Sequence, residues 1–357
     1  MDEKNYIDIL VNHGFECEAF IGKGTYGKVF KASRKNVIYA VKIIESSGKD
    51  TLIGENVKEA RGPHLVKIQA ELKKDKYYLY VMEYSSMGDI SKIKEYSDVN
   101  MIFKNPFLEK IGDNLIRFLA KQLFYGIRTF FQGNFVHFDI KPNNILMFKN
   151  LVAKFIDFGF LTQISEKKGQ KIIAGTPGYI TPEYYYNFGE DSDFETLKKQ
   201  DYFAIGATLY NIKYGKRLIE GYIRAENENE RYRLKDYHYS ITMDSIQRAI
   251  NNIQSNPYQD EEFTEFLISL IQYNPEERAD FEKIVRNKWL NKNTEEINKI
   301  RYLNNNDENH LLLELQKSDF LINYKNNSRK IFEQKNIDNN NKYKYNRRGK
   351  FSFGKKY

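Results

Sequence analysis

The clearest hydrophobic pattern in the chain is helical and lies between Phe107 and Phe131. Apolar residues recur there every three or four positions, which places them on one face of a helix. They are Leu115, Phe118, Leu119, Leu123, Ile127 and Phe130. The spacing predicts a long helix that is buried along one side. The stretch from Phe263 to Tyr273 is amphipathic in the same way and predicts a second helix.

The part of the chain up to Tyr84 has a different pattern, which is typical of strands. Short apolar runs rich in Val, Ile, Phe and Tyr predict strands at 15–21, 28–32, 37–44 and 77–84. Ahead of them, residues 1–13 predict a short helix with an imperfect apolar face. The pattern therefore indicates a sheet-rich beginning followed by a helical remainder.

Composition sets limits on the class of protein. The chain has 357 residues, of which 41% are hydrophobic and 15% aromatic, enough for a two-lobed globular domain with a tail. Cys17 is the single cysteine, so no intrachain disulfide can form, as expected in a reducing compartment. The N-terminus has no signal-like apolar stretch, and no apolar run is long enough to span a membrane. We therefore expect a cytoplasmic protein.

Positive charge is concentrated at the C-terminal end. The net charge is +8, and residues 323–357 hold eleven Lys or Arg against Glu333 and Asp338. This Asn-rich segment is too polar to bury a core, so we predict a disordered, solvated tail. Aromatic residues between its charges leave an alternative open, which is binding to nucleic acid or another anionic partner, with a nuclear location. Residues 311–313 predict a short docking helix before the tail.

Candidate chemistry lies in a polar loop between two apolar runs. Asp139, Lys141 and Asn144 lie in this loop, and Pro142 keeps it from becoming helical. Asn144 and the later Asp157 offer the hard oxygen ligands that Mg²⁺ prefers. Asp139 can accept a hydroxyl proton, and Lys141 can neutralise a phosphoryl group in transfer. A solvated turn is the alternative interpretation of the loop considered by itself.

A glycine-rich turn lies between the first two predicted strands. Gly22, Gly24 and Gly27 let backbone amides approach phosphate oxygens, although a plain glycine hairpin would use the same residues. The chain continues as a strand, whereas a dinucleotide-binding fingerprint would open a helix. Lys42 in the third strand is then better interpreted as a phosphate-pairing lysine than as an edge residue.

These motifs resemble those of eukaryotic protein kinases of the serine/threonine type. Residues 137–144 are similar to the kinase catalytic loop His-Arg-Asp-Leu-x-x-x-x-Asn, and residues 157–159 are similar to the Asp-Phe-Gly magnesium motif. The tripeptide at 40–42 resembles the Val-Ala-Ile-Lys motif. Residues 175–183 resemble Gly-Thr-Pro-x-Tyr followed by Ala-Pro-Glu, with Thr181 in place of Ala.

The resemblance continues into the second half of the chain. Residues 201–209 match the apolar helix that anchors the kinase large lobe, and Arg278 stands where kinases pair an arginine with the Glu183 position. Residues 184–200 are longer than usual and are interpreted as a solvated loop. The acidic residues of this stretch are Glu190, Asp191, Asp193 and Glu195.

The resemblance implies an α+β fold of two lobes, a small and mainly β N-lobe and a larger and mainly α C-lobe. The implied boundaries are an N-terminal extension at 1–14, a kinase domain at 15–290 with lobes of about 15–84 and 85–290, and a C-terminal extension at 291–357.

The resemblance also implies ATP and Mg²⁺ as cofactors. Lys42 would pair with phosphates, Asp139 would orient and deprotonate the substrate hydroxyl, and Lys141 would assist it. Asn144 and Asp157 would hold the metal. The remaining residues of the implied nucleotide site are Ile21, Gly22, Lys23, Gly24, Thr25, Tyr26, Gly27, Lys28, Val29, Ala40, Glu55, Met82, Glu83, Ser85, Asp89 and Leu146.

Two positions depart from the family pattern. Phe138 stands where the catalytic loop has an arginine. The helix glutamate that should hold Lys42 is displaced, since an ungapped comparison puts Ile53 at its position. We predict Glu55 as the partner of Lys42, with Glu59 as the second choice.

The implied substrate is a protein with a Ser or Thr acceptor, because Lys141 followed by Pro142 resembles the Ser/Thr-type loop. Asn143 is neutral, which disfavours a consensus of basic residues. Two alternatives stay open. One is a kinase-like scaffold without activity, suggested by Phe138, and the other is a nucleic-acid-binding protein that works through the basic tail.

Overall fold

A computed structural model describes only part of the chain, and all of the described residues belong to the first of two compact units, 1–301 and 302–357. The described residues are 3–23, 27–45, 62–92, 108–148, 151–164, 175–181, 183, 193–219, 243–255 and 260–292. Several predictions fall outside them. These are the glycine-loop residues 24–26, the helix at 51–61 with Glu55 and Glu59, the docking helix at 311–313 and the basic tail.

The N-terminal part is a helix followed by one antiparallel sheet of five strands in the order β1-β2-β3-β5-β4. The elements are α1 (Glu3–Asn12), β1 (Glu16–Lys23), β2 (Gly27–Arg34), β3 (Val37–Glu45), β4 (Ile68–Lys74) and β5 (Tyr77–Glu83). The four strands predicted from the apolar runs are β1, β2, β3 and β5. Only β4 had no counterpart in the prediction, because its pattern mixes polar and apolar residues.

The two faces of this sheet have different contents. Apolar residues such as Phe30, Val41 and Ile43 form a buried cluster on one face, and α1 covers that cluster with Ile9 and Leu10. Successive strand residues point to opposite faces, so Lys42, between Val41 and Ile43, lies on the other face. Helix α1 therefore covers the face opposite to Lys42.

The C-terminal part is mainly helical, with short strand pairs at its junction with the sheet. Its elements are α2 (Leu108–Gln132), β6 (Phe135–Val136), β7 (Ile145–Phe148), β8 (Val152–Phe155), β9 (Thr162–Gln163), α3 (Phe194–Tyr214), α4 (Met243–Gln254), α5 (Glu261–Leu270), α6 (Phe281–Val285) and α7 (Lys288–Asn291). Helix α2 confirms the first sequence prediction, since Leu119, Phe130 and Ile127 are fully buried. Helix α5 ends three residues before the predicted Tyr273, at Leu270.

The interpretation of 184–200 as a solvated loop is wrong for its second half. Helix α3 begins at Phe194, because the carboxylate of Asp193 accepts a hydrogen bond from the Thr196 N–H at 2.7 Å and caps the helix. Leu197 and Gln200 are buried in its first turns. No helix within the described ranges is both long and apolar enough to cross a membrane.

Candidate active site

The predicted catalytic loop lies between β6 and β7 and is fixed to helix α3. The buried carboxylate of Asp201 accepts hydrogen bonds from the backbone N–H of His137 at 2.9 Å and of Phe138 at 3.0 Å. Phe138 has φ +63°, in the left-handed region that bulky side chains seldom adopt. Its side chain is only 1% exposed. Asp201 therefore holds a strained turn that aims the next residue, Asp139, into the site.

Asp139 lies at the centre of a compact polar group. Thr176 donates from its hydroxyl to Oδ1 of Asp139 at 2.5 Å, and Lys141 Nζ lies 3.0 Å from Oδ2 of the same carboxylate. Lys141 Nζ also donates to the Thr176 hydroxyl at 2.5 Å. Asn144 donates from Nδ2 to Oδ2 of Asp139 at 2.7 Å. Within the described residues, each of these partners donates to the carboxylate, so its two oxygens are held in a fixed orientation.

The backbone of Asn144 lies beside the residue that precedes Asp157. The backbone N–H of Ile156, the residue before Asp157, donates to the Asn144 carbonyl at 2.9 Å. The amide nitrogen of Asn144 is used by Asp139. Among the described residues, Asn144 Oδ1 and Asp157 Oδ2 accept no hydrogen bond and are the atoms left for a cation.

This donor set fits Mg²⁺ better than a metal that needs a full protein cage. Within the described ranges, no group of three or more His, Cys, Asp and Glu side chains could hold a metal ion. Mg²⁺ typically takes one or two protein oxygens and completes its shell with phosphates and water. Asn144 and Asp157 would therefore hold the ion only together with a phosphate ligand.

Lys42 reaches the same region from the sheet. Its Nζ lies 2.5 Å from Oδ1 of Asp157, and both side chains are mostly shielded from solvent. Burial by itself would raise the pKa of Asp157, but the Lys42 ammonium opposes it and holds that pKa below its ordinary value. Asp157 is therefore a carboxylate at neutral pH. The predicted partners Glu55 and Glu59 lie outside the described residues.

Strand register places other predicted nucleotide residues on the Lys42 face. Val29 is directly opposite Lys42, and Ala40 is directly opposite Met82, and paired residues share a face. A Cβ on Gly27 would lie 2.2 Å from the Ile43 carbonyl oxygen. The last glycine of the loop is thus required by the packing of β2 on β3, in addition to any role with phosphate.

The segment after β5 supplies the rest of the implied nucleotide site. The Glu83 carboxylate binds Lys154 Nζ of β8 at 2.8 Å and the backbone N–H of Lys67 at 2.7 Å, so its side chain is not available to a ligand. Ser85 is held by a hydroxyl donation to the Met147 carbonyl.

Asp89 and Leu146 are the remaining implied residues of this segment. An isolated antiparallel bridge joins them, which places them side by side. Ile21, Gly22, Lys23 and Lys28 lie at the ends of β1 and β2 that flank the glycine loop.

Residues 175–181 border the catalytic group. Gly175 has φ +118°, and a Cβ there would lie 2.7 Å from the Phe138 carbonyl oxygen, so only glycine allows this close approach. Farther along, Glu183 forms a two-pronged ion pair with Arg278, whose side chain is fully buried. This pair confirms the predicted partnership.

Sequence patterns missed several residues that hold the site together. Gln200 donates to the Tyr179 carbonyl at 2.9 Å and accepts from the Thr181 N–H at 2.8 Å. Lys154 pairs with Glu83 across the junction between the sheet and the helical part. The only available signal was polarity inside apolar elements, since Gln200 lies in the buried first half of α3 and Lys154 in β8.

With this geometry in place, the family is clear. A family model described as protein kinase domain matches residues 15–290. The chain therefore belongs to the protein kinase family, and the two-lobed α+β fold follows.

Known proteins similar to the chain include three kinases. Serine/threonine-protein kinase MRCK beta of Rattus norvegicus is 26% identical over 268 residues, which cover 68% of this chain and 15% of that protein. Citron rho-interacting kinase of Rattus norvegicus is 28% identical over 214 residues, 57% of this chain and 10% of that protein. Serine/threonine-protein kinase PLK4 of Drosophila grimshawi is 22% identical over 292 residues, 77% of this chain and 34% of that protein. The chain thus spans from a tenth to a third of their length.

Proposed function

We propose that the chain is a serine/threonine protein kinase that transfers the γ-phosphoryl group of ATP to a Ser or Thr hydroxyl of a protein. The observation that carries the proposal is the arrangement around Asp139, where Lys141 and Thr176 bind the carboxylate and each other. The names of the similar proteins support the Ser/Thr class.

Each residue of the site has a role in this reaction. Bound ATP would supply the phosphoryl group, and Mg²⁺ would neutralise its charge. Asp139 accepts the proton of the acceptor hydroxyl, and Lys141 stabilises negative charge beside it. Lys42 would exchange its contact with Asp157 for phosphate oxygens, which frees both oxygens of Asp157 for the metal.

A serine or threonine acceptor fits the space near Asp139 for a physical reason. Thr176 and Lys141 already occupy Oδ1 of Asp139 and the space next to it. A short acceptor side chain brings the peptide backbone close to residues 175–181, whereas a tyrosine would hold it several ångströms farther away. The alternative of an inactive kinase-like scaffold has no support among the described residues, since Lys42, Asp139 and Asp157 are all in place.

The test is transfer of labelled phosphate from ATP with Mg²⁺ to a general protein substrate, followed by identification of the phosphorylated amino acid. We expect phosphoserine or phosphothreonine from the full chain and loss of transfer in Asp139→Asn. Asp244→Asn, an exposed position on α4, is the matched control and should retain activity. Phosphotyrosine as the product, or equal activity in Asp139→Asn, would contradict the proposal.

A further inference from the structure

We infer that Gln200 is a positioning residue for the protein substrate, which acts by holding the segment 175–181 in register with the catalytic loop. The inference rests on the proposed function. It adds to that function the side chain that fixes the position of residues 175–181.

The side chain of Gln200 binds the backbone of this segment through both of its amide atoms. Its Nε2 donates to the Tyr179 carbonyl at 2.9 Å, and its Oε1 accepts from the Thr181 N–H at 2.8 Å. The side chain is 1% exposed. The carbonyl of one residue and the N–H two residues later are the two groups that a parallel neighbouring strand would bind. Gln200 thus binds the backbone on both sides of Ile180 and fixes the turn and bend at residues 177–180.

Helix α3 connects this contact to the catalytic base. Asp201, the next residue, holds the backbone of His137 and Phe138, directly before Asp139. Two adjacent residues of one rigid helix therefore fix two separate segments. Asp201 fixes the catalytic loop, and Gln200 fixes residues 179–181.

The segment lies where a substrate peptide must pass. Thr176 touches Asp139 at 2.5 Å, and extended peptide residues are spaced by about 3.3 Å. The residue next to an acceptor hydroxyl at Asp139 is therefore within reach of residues 176–181. Residues 175–177 of this segment are half-buried, whereas Gly178, Tyr179, Ile180 and Thr181 are buried. The part of the segment that a substrate can reach is therefore residues 175–177, and Gln200 fixes the buried residues that directly follow it.

The chain supplies a matched control in Gln122 of α2. Gln122 donates to the Leu151 carbonyl at 2.9 Å and accepts from the Ala153 N–H at 3.0 Å, and it is also 1% exposed. It makes the same kind of contact with the same spacing, but to the start of β8. Loss of either glutamine removes two buried hydrogen bonds, but only the loss of Gln200 affects residues 175–181.

The experiment compares Gln200→Met and Gln122→Met in the full chain by steady-state kinetics with a peptide substrate and with ATP as the varied substrate. For Gln200→Met we expect the peptide KM to rise by about tenfold or more while the ATP KM stays within about twofold. Gln122→Met should leave the peptide KM within about twofold, although thermal unfolding should show a similar loss of stability in both variants. An unchanged peptide KM in Gln200→Met, or an equal rise in both variants, would overturn the inference.

A second variant covers the case in which Gln200→Met does not fold. Gln200→Glu keeps the acceptor for Thr181 and the volume of the side chain, but it places an oxygen against the Tyr179 carbonyl. Protonation of the new carboxyl restores the donor, so the excess peptide KM of Gln200→Glu over the wild type should shrink as pH falls. A pH-independent excess, or none, would argue against the positioning role. If the wild-type chain transferred no phosphate at all, the proposed function would fail instead.

Discussion

Lys42 and Asp157 form an ion pair with an Nζ to Oδ1 distance of 2.5 Å that links the sheet to the segment after β8. In the proposed reaction each of them also has a second partner, phosphate for Lys42 and the metal for Asp157. The pair therefore preorganises the site, because binding exchanges one set of charged contacts for another. The lowered pKa of Asp157 keeps it ionised for this exchange.

The first prediction concerns the loss of either partner. Lys42→Met and Asp157→Ala should each lower phosphoryl transfer by about a hundredfold or more, the scale seen when a single charged or hydrogen-bonding group at a transition state is removed. The measurement is labelled-phosphate transfer, with circular dichroism to show that the fold persists. A Lys42→Met variant with more than about a tenth of the wild-type rate would exclude a phosphate-binding role for this lysine.

The second prediction concerns the glutamate expected to hold Lys42 when it turns to phosphate. Glu55→Gln should lower activity by about tenfold, and Glu59→Gln should change it by less than about twofold. A Glu→Gln change removes the charge of the side chain and keeps its shape, so the loss of activity reports the ion pair with Lys42. Equal effects in the two variants would reject Glu55 as the partner.

The third prediction concerns pH and Asp201. Burial raises the pKa of Asp201 to about 7, although the N–H groups of His137 and Phe138 favour its charged form. Between its ordinary pKa of 3.8 and about 7, the folded chain binds a proton that the unfolded chain does not. The contribution of this group to the free energy of unfolding is therefore present at low pH and is lost as pH rises through about 7.

Denaturant unfolding of the wild type and of Asp201→Asn at about pH 5 and about pH 8 measures this contribution. The wild type should lose stability relative to Asp201→Asn as pH rises, by an amount on the order of a few kcal/mol. His137 has a pKa lowered by burial and acts in the opposite direction, but it is present in both proteins. A stability difference that does not change with pH would mean that Asp201 is ionised throughout.

The fourth prediction concerns helix α1, which lies ahead of the residues matched by the family model. Leu10 is fully buried against the sheet, whereas its neighbour Val11 is 58% exposed. Leu10→Ala should lower the free energy of unfolding by about 2–5 kcal/mol, and Val11→Ala should change it by less than about 0.5 kcal/mol. Chemical denaturation of the two variants checks this. Similar small effects would show that α1 is not part of the folded lobe.

Residue periodicity predicted the elements well where one face is buried and the other is not. The sequence predicted helix α2 and strands β2 and β3 because their apolar residues recur with the helical or strand period. The start of α3 did not, because acidic residues around Asp193 look like a loop. Its cap is a local hydrogen bond that periodicity does not report.

The candidate site divides in a similar way. Asp139, Asn144 and Asp157 were found because they lie in short motifs with a fixed spacing. Contacts such as that of Gln200 with Tyr179 join residues far apart in the chain, and no local pattern records which buried amide meets which backbone group.

The last prediction concerns regulation. In kinases with an arginine before the catalytic aspartate, that arginine binds a phosphate on the activation loop through charge-assisted hydrogen bonds. The residue directly before Asp139 is Phe138, which is 1% exposed and packs in the main apolar cluster, so it offers no charge to a phosphate. Residues 166–175 contain no Ser, Thr or Tyr. The sequence therefore lacks an arginine directly before Asp139 that could bind a phosphate, and it lacks a residue within 166–175 that could carry one.

We therefore predict that activity does not require phosphorylation of the activation loop. On the Asp-Phe-Gly side of this stretch the hydroxyl residues are Thr162, which donates to the Phe160 carbonyl at 3.0 Å, and Ser165, which lies outside the described residues. Thr176, on its other side, is bound to Asp139. Treatment of the purified chain with a broad phosphatase, and separately the double variant Thr162→Ala with Ser165→Ala, should leave the rate of transfer within about twofold. A fall of about tenfold, or about 1.4 kcal/mol of barrier, in either experiment would show that a phosphate orders the loop despite Phe138.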